Sequence, residues 1–490
     1  MLNFGEPIFN YWFLLPIQDD NVPTNYIAVR RKPLNYEEEY ILKKQLQKGK
    51  KIIGLSSFGD FPKNEKIFLD QYGKHIILWC HCFKNPEIFI PPSIPTLLLS
   101  ETDLYPFIPF LLSIPESSPK QYDFLCYLPF HSTFKNAEKA VGYLNQLANK
   151  YKIIAFTNDD YFPNLIVAQK LYIPWEEFIT YLSSSRFLIN FAEEDASPRT
   201  IIEAIYLNVP VLVNKDIYGG WKYIIPGITG NFIHLDQDFE TQIDKFYNDK
   251  HYNPRRYALD HFLTMKDNSQ ILKETITNLE NLNMTQFADY FIYINLKNRK
   301  DRRLSIEFEM NRLQIPKDKI IRIDAIENKK NGHLGCCESH IFALESCLKM
   351  EGKRFMIFED DFEFSLSKER ICYMLQKFIQ EFPDFDIFLL YCFQEFEIIT
   401  KNRFIYRIIN ASSTIGYWMN KEKIPIFLQC FNNARNKLIQ ETQECPHNKK
   451  ISYTKYAIDQ MWKNLQKDYF FYTTIPMIGN PKSRLYSSII

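Results

Sequence analysis

The sequence predicts an α/β protein built from three consecutive domains, and three observations carry that prediction. Short apolar runs alternate with polar or amphipathic segments along almost all of the 490 residues, the pattern of strands packed between helices. Residues 122–213 hold a complete set of such units, which reads as one doubly wound sheet. A fresh apolar strand at 290–296 then follows the polar, Asn-rich stretch around 277–285 and opens a further domain. Length agrees, because one hydrophobic core does not extend over such a chain and roughly two to four domains are expected.

The elements follow in order. The first third offers strands at 25–29, 51–55 and 75–79, and the proline-rich stretch 86–119 reads as irregular connection. Next come a strand at 122–126, a helix at 136–150, strands at 152–156 and 187–190, a helix at 198–207 and a strand at 209–213. Segments 239–248 and 254–281 read as helices. The boundaries drawn are 1–118 and 119–280, two facing Rossmann-type halves, and 286–490, an α/β domain with its own chemistry.

Composition bounds the function. With 46% hydrophobic and 16% aromatic residues the chain is a core-forming one. A net charge of +1 argues against a basic surface for nucleic acid. No apolar run reaches the ~18 residues that would span a bilayer. The N-terminal stretch 1–16 is apolar but carries Glu6 and lacks a basic leader, so no signal peptide is expected. Ten cysteines without a regular framework suit a reducing, cytoplasmic setting (a host cytoplasm if the source is viral). Cys80-His81-Cys82 lies in an apolar run, where alternation sends both sulfurs to one face and the imidazole to the other; core packing is expected.

The most informative feature is the apolar run Arg354-Phe-Met-Ile-Phe358 ending in Glu359-Asp360-Asp361. Three adjacent carboxylates repel one another, and a hard divalent cation such as Mn²⁺ or Mg²⁺ removes the repulsion. Carboxyl ends of strands are also where open α/β sheets bind ligands. A solvated acidic turn is the plainer alternative. Upstream, the strand at 290–296 runs into Arg299, Arg302 and Arg303 at a helix start, a natural diphosphate cradle; a solvated basic turn is the alternative there. Gly332 and Gly335 open a helix predicted to reach Met350 and would allow close backbone approach to a ligand. Asp459-Gln460 precedes a last strand at 470–475.

These pieces, in this order, resemble glycosyltransferase family 25, the lipopolysaccharide and collagen sugar transferases. The matching residues are Ile294-Asn295-Leu296 with Arg299 and Arg302, Gly335-Cys336 with Ser339-His340, Glu359-Asp360-Asp361, Ile415-Gly416-Tyr417, Asp459-Gln460 and the Ser-rich end near Ser487. The resemblance covers roughly residues 288–490. It implies a GT-A-type domain that moves a hexose, often galactose, from a nucleotide sugar to a glycan or glycoprotein acceptor. It further implies Asp361 as principal metal ligand with Glu359, and Glu359 or Asp360 toward sugar or ribose hydroxyls. Asn295 and His340 would lie at the donor, Arg299 and Arg302 on the phosphates, and Asp459 would act as the base of an inverting attack or would position the acceptor. Cys336 and Cys337 read as core neighbours. The collagen-modifying members carry secretory signals that this sequence does not show, which points to a bacterial-type or viral enzyme.

A second signature lies at Asp195-Ala-Ser197-Pro-Arg199-Thr-Ile-Ile-Glu203, ahead of Val209-Pro210-Val. Ser197 is a plausible N-cap with Pro198 at the first helical position. The acid–x7–acid spacing of Asp195 and Glu203 resembles the nucleotide-binding half of GT-B glycosyltransferases, although the first acid there is usually Glu. That likeness implies Ser197, Arg199 and Glu203 at a second donor site. A surface i, i+4 pair of Arg199 and Glu203 is the alternative. The expected whole is a two-module transferase using UDP-hexose at the C-terminal site, with a homodimer open. The competing readings are a single live C-terminal enzyme beside a binding or dimerising module, and a non-catalytic glycan-binding scaffold.

Overall fold

The computed structural model describes residues 26–30, 36–56, 63–116, 119–128, 136–157, 164–170, 173–193, 195, 198–235, 238–262, 264–393, 398–400, 404–446 and 449–482. Its contacts divide the chain into two compact units, Met1–Ile276 and Thr277–Ile490.

The first unit holds two parallel sheets. Strands β1 (Tyr26–Arg30), β2 (Lys51–Leu55), β3 (Ile76–His81) and β4 (Thr96–Leu98) lie side by side in that order. The proline-rich stretch is therefore more than connection. It supplies β4 on the sheet edge, where missing N–H donors are tolerated, and the helix Ile108–Ser113. Cys80 and Cys82 are fully buried and His81 is held inside, its Nδ1 accepting the Phe83 amide at 3.1 Å, as core packing requires.

The second sheet comprises β5 (Tyr122–Leu128), β6 (Ile153–Thr157), β7 (Ala168–Lys170), β8 (Ser185–Asn190), β9 (Val211–Asn214) and β10 (Gly230–Ile233), in the spatial order β10-β9-β8-β5-β6-β7. The chain winds outward from β5 in both directions, so the point of reversal lies between β5 and β8. Alternation along β5 sends Phe124, Cys126 and Leu128 into one core and Leu125 into the other. The expected helix over 254–281 is two, Pro254–His261 and Met265–Asn281. Thr264 and Asp267 restart the second as a capping box, the Asp267 amide donating to Thr264 Oγ1 at 3.2 Å and the Thr264 amide to Asp267 at 3.1 Å.

The second unit is built on one mixed sheet. Its strands are β11 (Tyr290–Asn295), β12 (Ile320–Asp324), β13 (Arg354–Glu359), β15 (Ile387–Leu389), β16 (Ile398–Thr400), β17 (Ile405–Ile408), β18 (Gly416–Asn420) and β19 (Phe471–Thr474); β14 (Phe362–Phe364) and β20 (Gly479–Pro481) pair separately. The order is β12-β11-β13-β18-β15-β19-β17-β16, with β11 parallel to both neighbours. Phe291, Tyr293, Met356 and Phe358 fill one face. Ile292, Ile294, Phe355 and Ile357 fill the other, beneath the helices Gly332–Lys349 and Ile424–Glu444. Each such buried side chain contributes about 1.5–3 kcal/mol. The chain reverses between β11 and β13, whose carboxyl ends carry Asn295 and Glu359. Among the described residues no helix is long and apolar enough to cross a membrane.

Candidate active site

The three carboxylates follow β13 directly, and none is a solvated turn residue. Asp360 is 7% exposed, and the side chains of Glu359 and Asp361 are 27% and 20% exposed. Asp360 is the most fully bound. Arg302 Nη1 donates to its Oδ1 at 2.8 Å and Asn295 Nδ2 to its Oδ2 at 2.8 Å. Arg302 also reaches Asp361 at 3.3 Å. This arginine, expected on the phosphates, is buried at the acidic turn as counter-charge to two aspartates, and it also lines the adjoining cavity. Asn295 is spent likewise, its amide also donating to Arg299 O at 3.1 Å and its Oδ1 accepting from Arg322 at 3.2 Å. Both hold the turn in place.

Glu359 and Asp361 are driven apart electrostatically. Burial disfavours the Glu359 anion, but His340, Thr414 and Arg302 outweigh it and hold its pKa below the usual range. Burial, then the Glu359 charge, push Asp361 up to about 7 against the pull of Arg302. Two acids pushed in opposite directions mark a functional site more often than a structural one. Asp361 Oδ1 is buried without a hydrogen-bond partner, an unmet acceptor of the kind a cation satisfies.

The segment before β18 ties the acids together. Thr414 Oγ1 donates to Glu359 Oε1 at 2.8 Å, and the Ser413 amide donates to Asp459 Oδ2 at 3.1 Å. Ser413 has φ of 107°, a region a non-glycine residue occupies only under constraint. Burial and the Glu359 charge raise the Asp459 pKa, the direction that suits a proton acceptor. Sequence reading missed Ser413 and Thr414, although they adjoin the Ile415-Gly416-Tyr417 motif.

A cavity of about 510 Å³ opens on this cluster. Arg299, Lys329, Lys330 and Lys450 give it a cationic rim, and Cys336, His340, Glu359 and Asp361 line it. Asp459 is not among its lining residues. Gly335 faces the loop rather than a ligand: a Cβ there would meet Ile326 O at 2.5 Å. That close approach lets Ser339 Oγ accept the Ile326 amide at 2.8 Å and pin the loop that forms the cavity wall.

In the first unit, Ser197 lies outside the described residues. The helix Arg199–Tyr206 begins after Pro198, and Glu203 is buried rather than part of a surface pair. Tyr105 and Trp175 both donate to Glu203 Oε1, the indole at 2.9 Å. Burial raises the Glu203 pKa against those hydrogen bonds. Arg199 and Glu203 share a cavity of about 440 Å³ walled by Phe107, Tyr127, Phe156, Trp175 and Phe178. Nothing in the sequence flagged Tyr105 or Trp175 as partners of Glu203. Gly219 and Gly220 serve packing: Cβ atoms there would meet Asp195 O at 1.9 Å and Pro198 at 2.1 Å.

The model of a family described as Glycosyltransferase family 25 (LPS biosynthesis protein) matches residues 329–444. The stretch takes in Cys336, His340 and the acidic triplet, while Arg299, Arg302 and Asp459 fall outside it. No curated protein matches the chain. Solved structures similar to it include sucrose-phosphate synthase from Thermosynechococcus elongatus, at 11% identity and TM-score 0.39 over 52% of this chain and 74% of that one. Anabaena HepE in complex with UDP-glucose is similar at 12% identity and TM-score 0.38, over 52% of this chain and 79% of that one. The pneumococcal O-GlcNAc transferase GtfA, in complex with UDP and GlcNAc, follows at 12% and 0.36, over 52% and 57%.

Proposed function

We propose that the second unit, which carries a glycosyltransferase domain, moves a hexose from a nucleoside diphosphate sugar, UDP-hexose first among them, to a glycan or glycoprotein hydroxyl in a cation-dependent reaction. The observation that carries this reading is the Glu359–Asp361 pair on the wall of a nucleotide-sized cavity, with one Asp361 oxygen buried and unmet. Those two carboxylates would hold Mn²⁺ or Mg²⁺. Such an ion, when bound, neutralises charge developing on the departing diphosphate.

The chain's own groups do the rest. Arg302 and Asn295 fix Asp360 and so set the direction of its neighbours. Arg299, Lys329, Lys330 and Lys450 place positive charge where the phosphates would lie. Asp459, raised in pKa and held by the Ser413 amide, takes the proton of the attacking acceptor hydroxyl, and direct attack on the face opposite the departing diphosphate inverts the sugar carbon. A second transfer site in the first unit is favoured by its doubly wound order, whose reversal faces the carboxyl ends of β5 and β8. Set against it is the commitment of Glu203 to Tyr105 and Trp175, which favours a binding module.

The test is turnover of UDP-, GDP- and CMP-sugars by the full chain with and without Mn²⁺. Cation-dependent release of nucleotide that disappears in Asp361→Asn supports the proposal. Residual release removed by Glu203→Ala supports two sites. No turnover and no nucleotide binding leaves a glycan-binding scaffold.

A further inference from the structure

We propose that Cys336, His340 and Glu359 form a seat for a borderline transition-metal ion of the Zn²⁺, Co²⁺ or Fe²⁺ class. Cys336 and His340 stand four residues apart on the helix Gly332–Lys349 and so share one face. Glu359 ends β13 opposite them. One ligand atom from each lies within 4.8 Å of the other two, and all three residues line the cavity.

The imidazole is already oriented. His340 Nδ1 lies 3.0 Å from the Tyr417 hydroxyl, and the ring packs between Tyr417 and Phe431. Nε2 is buried, and its nearest partner, Glu359 Oε1, stands at the long distance of 3.5 Å. The Tyr417 hydroxyl donating to Nδ1 would leave Nε2–H on Glu359 with no ion needed; with Nδ1–H donated to the Tyr417 oxygen, the Nε2 lone pair faces a carboxylate and positive charge must sit between them. A proton would supply it and leave Cys336 a bystander. A metal ion would satisfy all three groups, since it binds thiolate and drives the proton off sulfur. A thiolate, imidazole and carboxylate set discriminates against Mg²⁺, which takes oxygen ligands. Three protein ligands with a remaining position toward a cavity is the arrangement of catalytic zinc sites, and a hydrogen-bonded second imidazole nitrogen is its usual support.

The ligands stand on their own geometry; because Glu359 is shared with the Mn²⁺ or Mg²⁺ site proposed above, the two ions are alternatives, and only the choice between them rests on the transferase reading. Titration of the full-length reduced protein with Co²⁺, followed by absorption, tests it. The expected result is a thiolate-to-cobalt charge-transfer band with one equivalent bound. Cys336→Ser should abolish the band and weaken Co²⁺ by about 100-fold or more, beyond what loss of a supporting group does. Cys337→Ser should keep both, because that thiol faces Phe431 O in the core. His340→Asn supplies a second route, weakening Co²⁺ and altering the visible bands with the thiolate retained. A band that is absent, or unchanged in Cys336→Ser, overturns the seat. Sugar transfer with Mg²⁺ by a protein lacking the band overturns the seat and leaves the transferase standing. The band in a chain that turns over no nucleotide sugar keeps the seat and removes its use.

Discussion

The two units each bury acid beside a cavity at the carboxyl edge of parallel strands, yet they treat the charge in opposite ways. In the first, Glu203 receives a phenol and an indole on one oxygen and sits among aromatic rings. In the second, three acids crowd one another, Arg302 is the cation that reaches two of them, and one oxygen of Asp361 is left unmet. A carboxylate with its hydrogen bonds made is already part of the packing. One left short is set up for something that arrives later.

Substitutions can break that contrast, and the largest effect is expected at Asp361. Asp361→Asn should lower cation-dependent transfer by about 10³-fold, the scale of losing a principal charge-stabilising group, read as kcat with the best nucleotide sugar. Next comes Arg302→Met. Stranding Asp360 and Asp361 without their counter-charge should destabilise the protein by about 3–5 kcal/mol in urea unfolding. An arginine that only bound phosphate would instead raise KM and leave the midpoint alone.

Smaller effects sharpen the comparison. Asp361 titrates near 7 in the folded chain and near its ordinary value of about 3.9 when unfolded. The folded state therefore keeps a proton that the unfolded state has lost. Metal-free protein should lose on the order of 1–2 kcal/mol as pH rises from about 4 to about 7, discounting for the charge coupling with Glu359. Mn²⁺ should restore it, and Asp361→Asn should flatten the profile; chemical denaturation across pH reads both. Last, Tyr105→Phe removes one donor from Glu203 and should cost about 1 kcal/mol, with C-terminal transfer unchanged. A matching fall in that transfer would show the first cavity to be part of the same chemistry.

The sequence made the strands and the acidic triplet legible, because apolar runs of strand length ending in charge are local signals. The pairing of Arg302 and Asn295 with Asp360 was not legible. Their partner Asp360 lies 58 and 65 residues away, and only the β11–β13 pairing brings them together. Tyr105 sat hidden in the stretch that prolines made look irregular, and Trp175 opens a helix with nothing to mark its indole as a donor to Glu203. The capping box at Thr264 and Asp267 is a local signal as well, masked because the apolar period runs on through it.

Phe362, the residue directly after the acidic triplet, lays its ring over Gly416 and Gly479, where an added Cβ would come within 2.6 and 2.1 Å of it. A library of substitutions scored for enzyme output should therefore show two blank columns at these glycines. Whoever redesigns this protein inherits that slot as fixed.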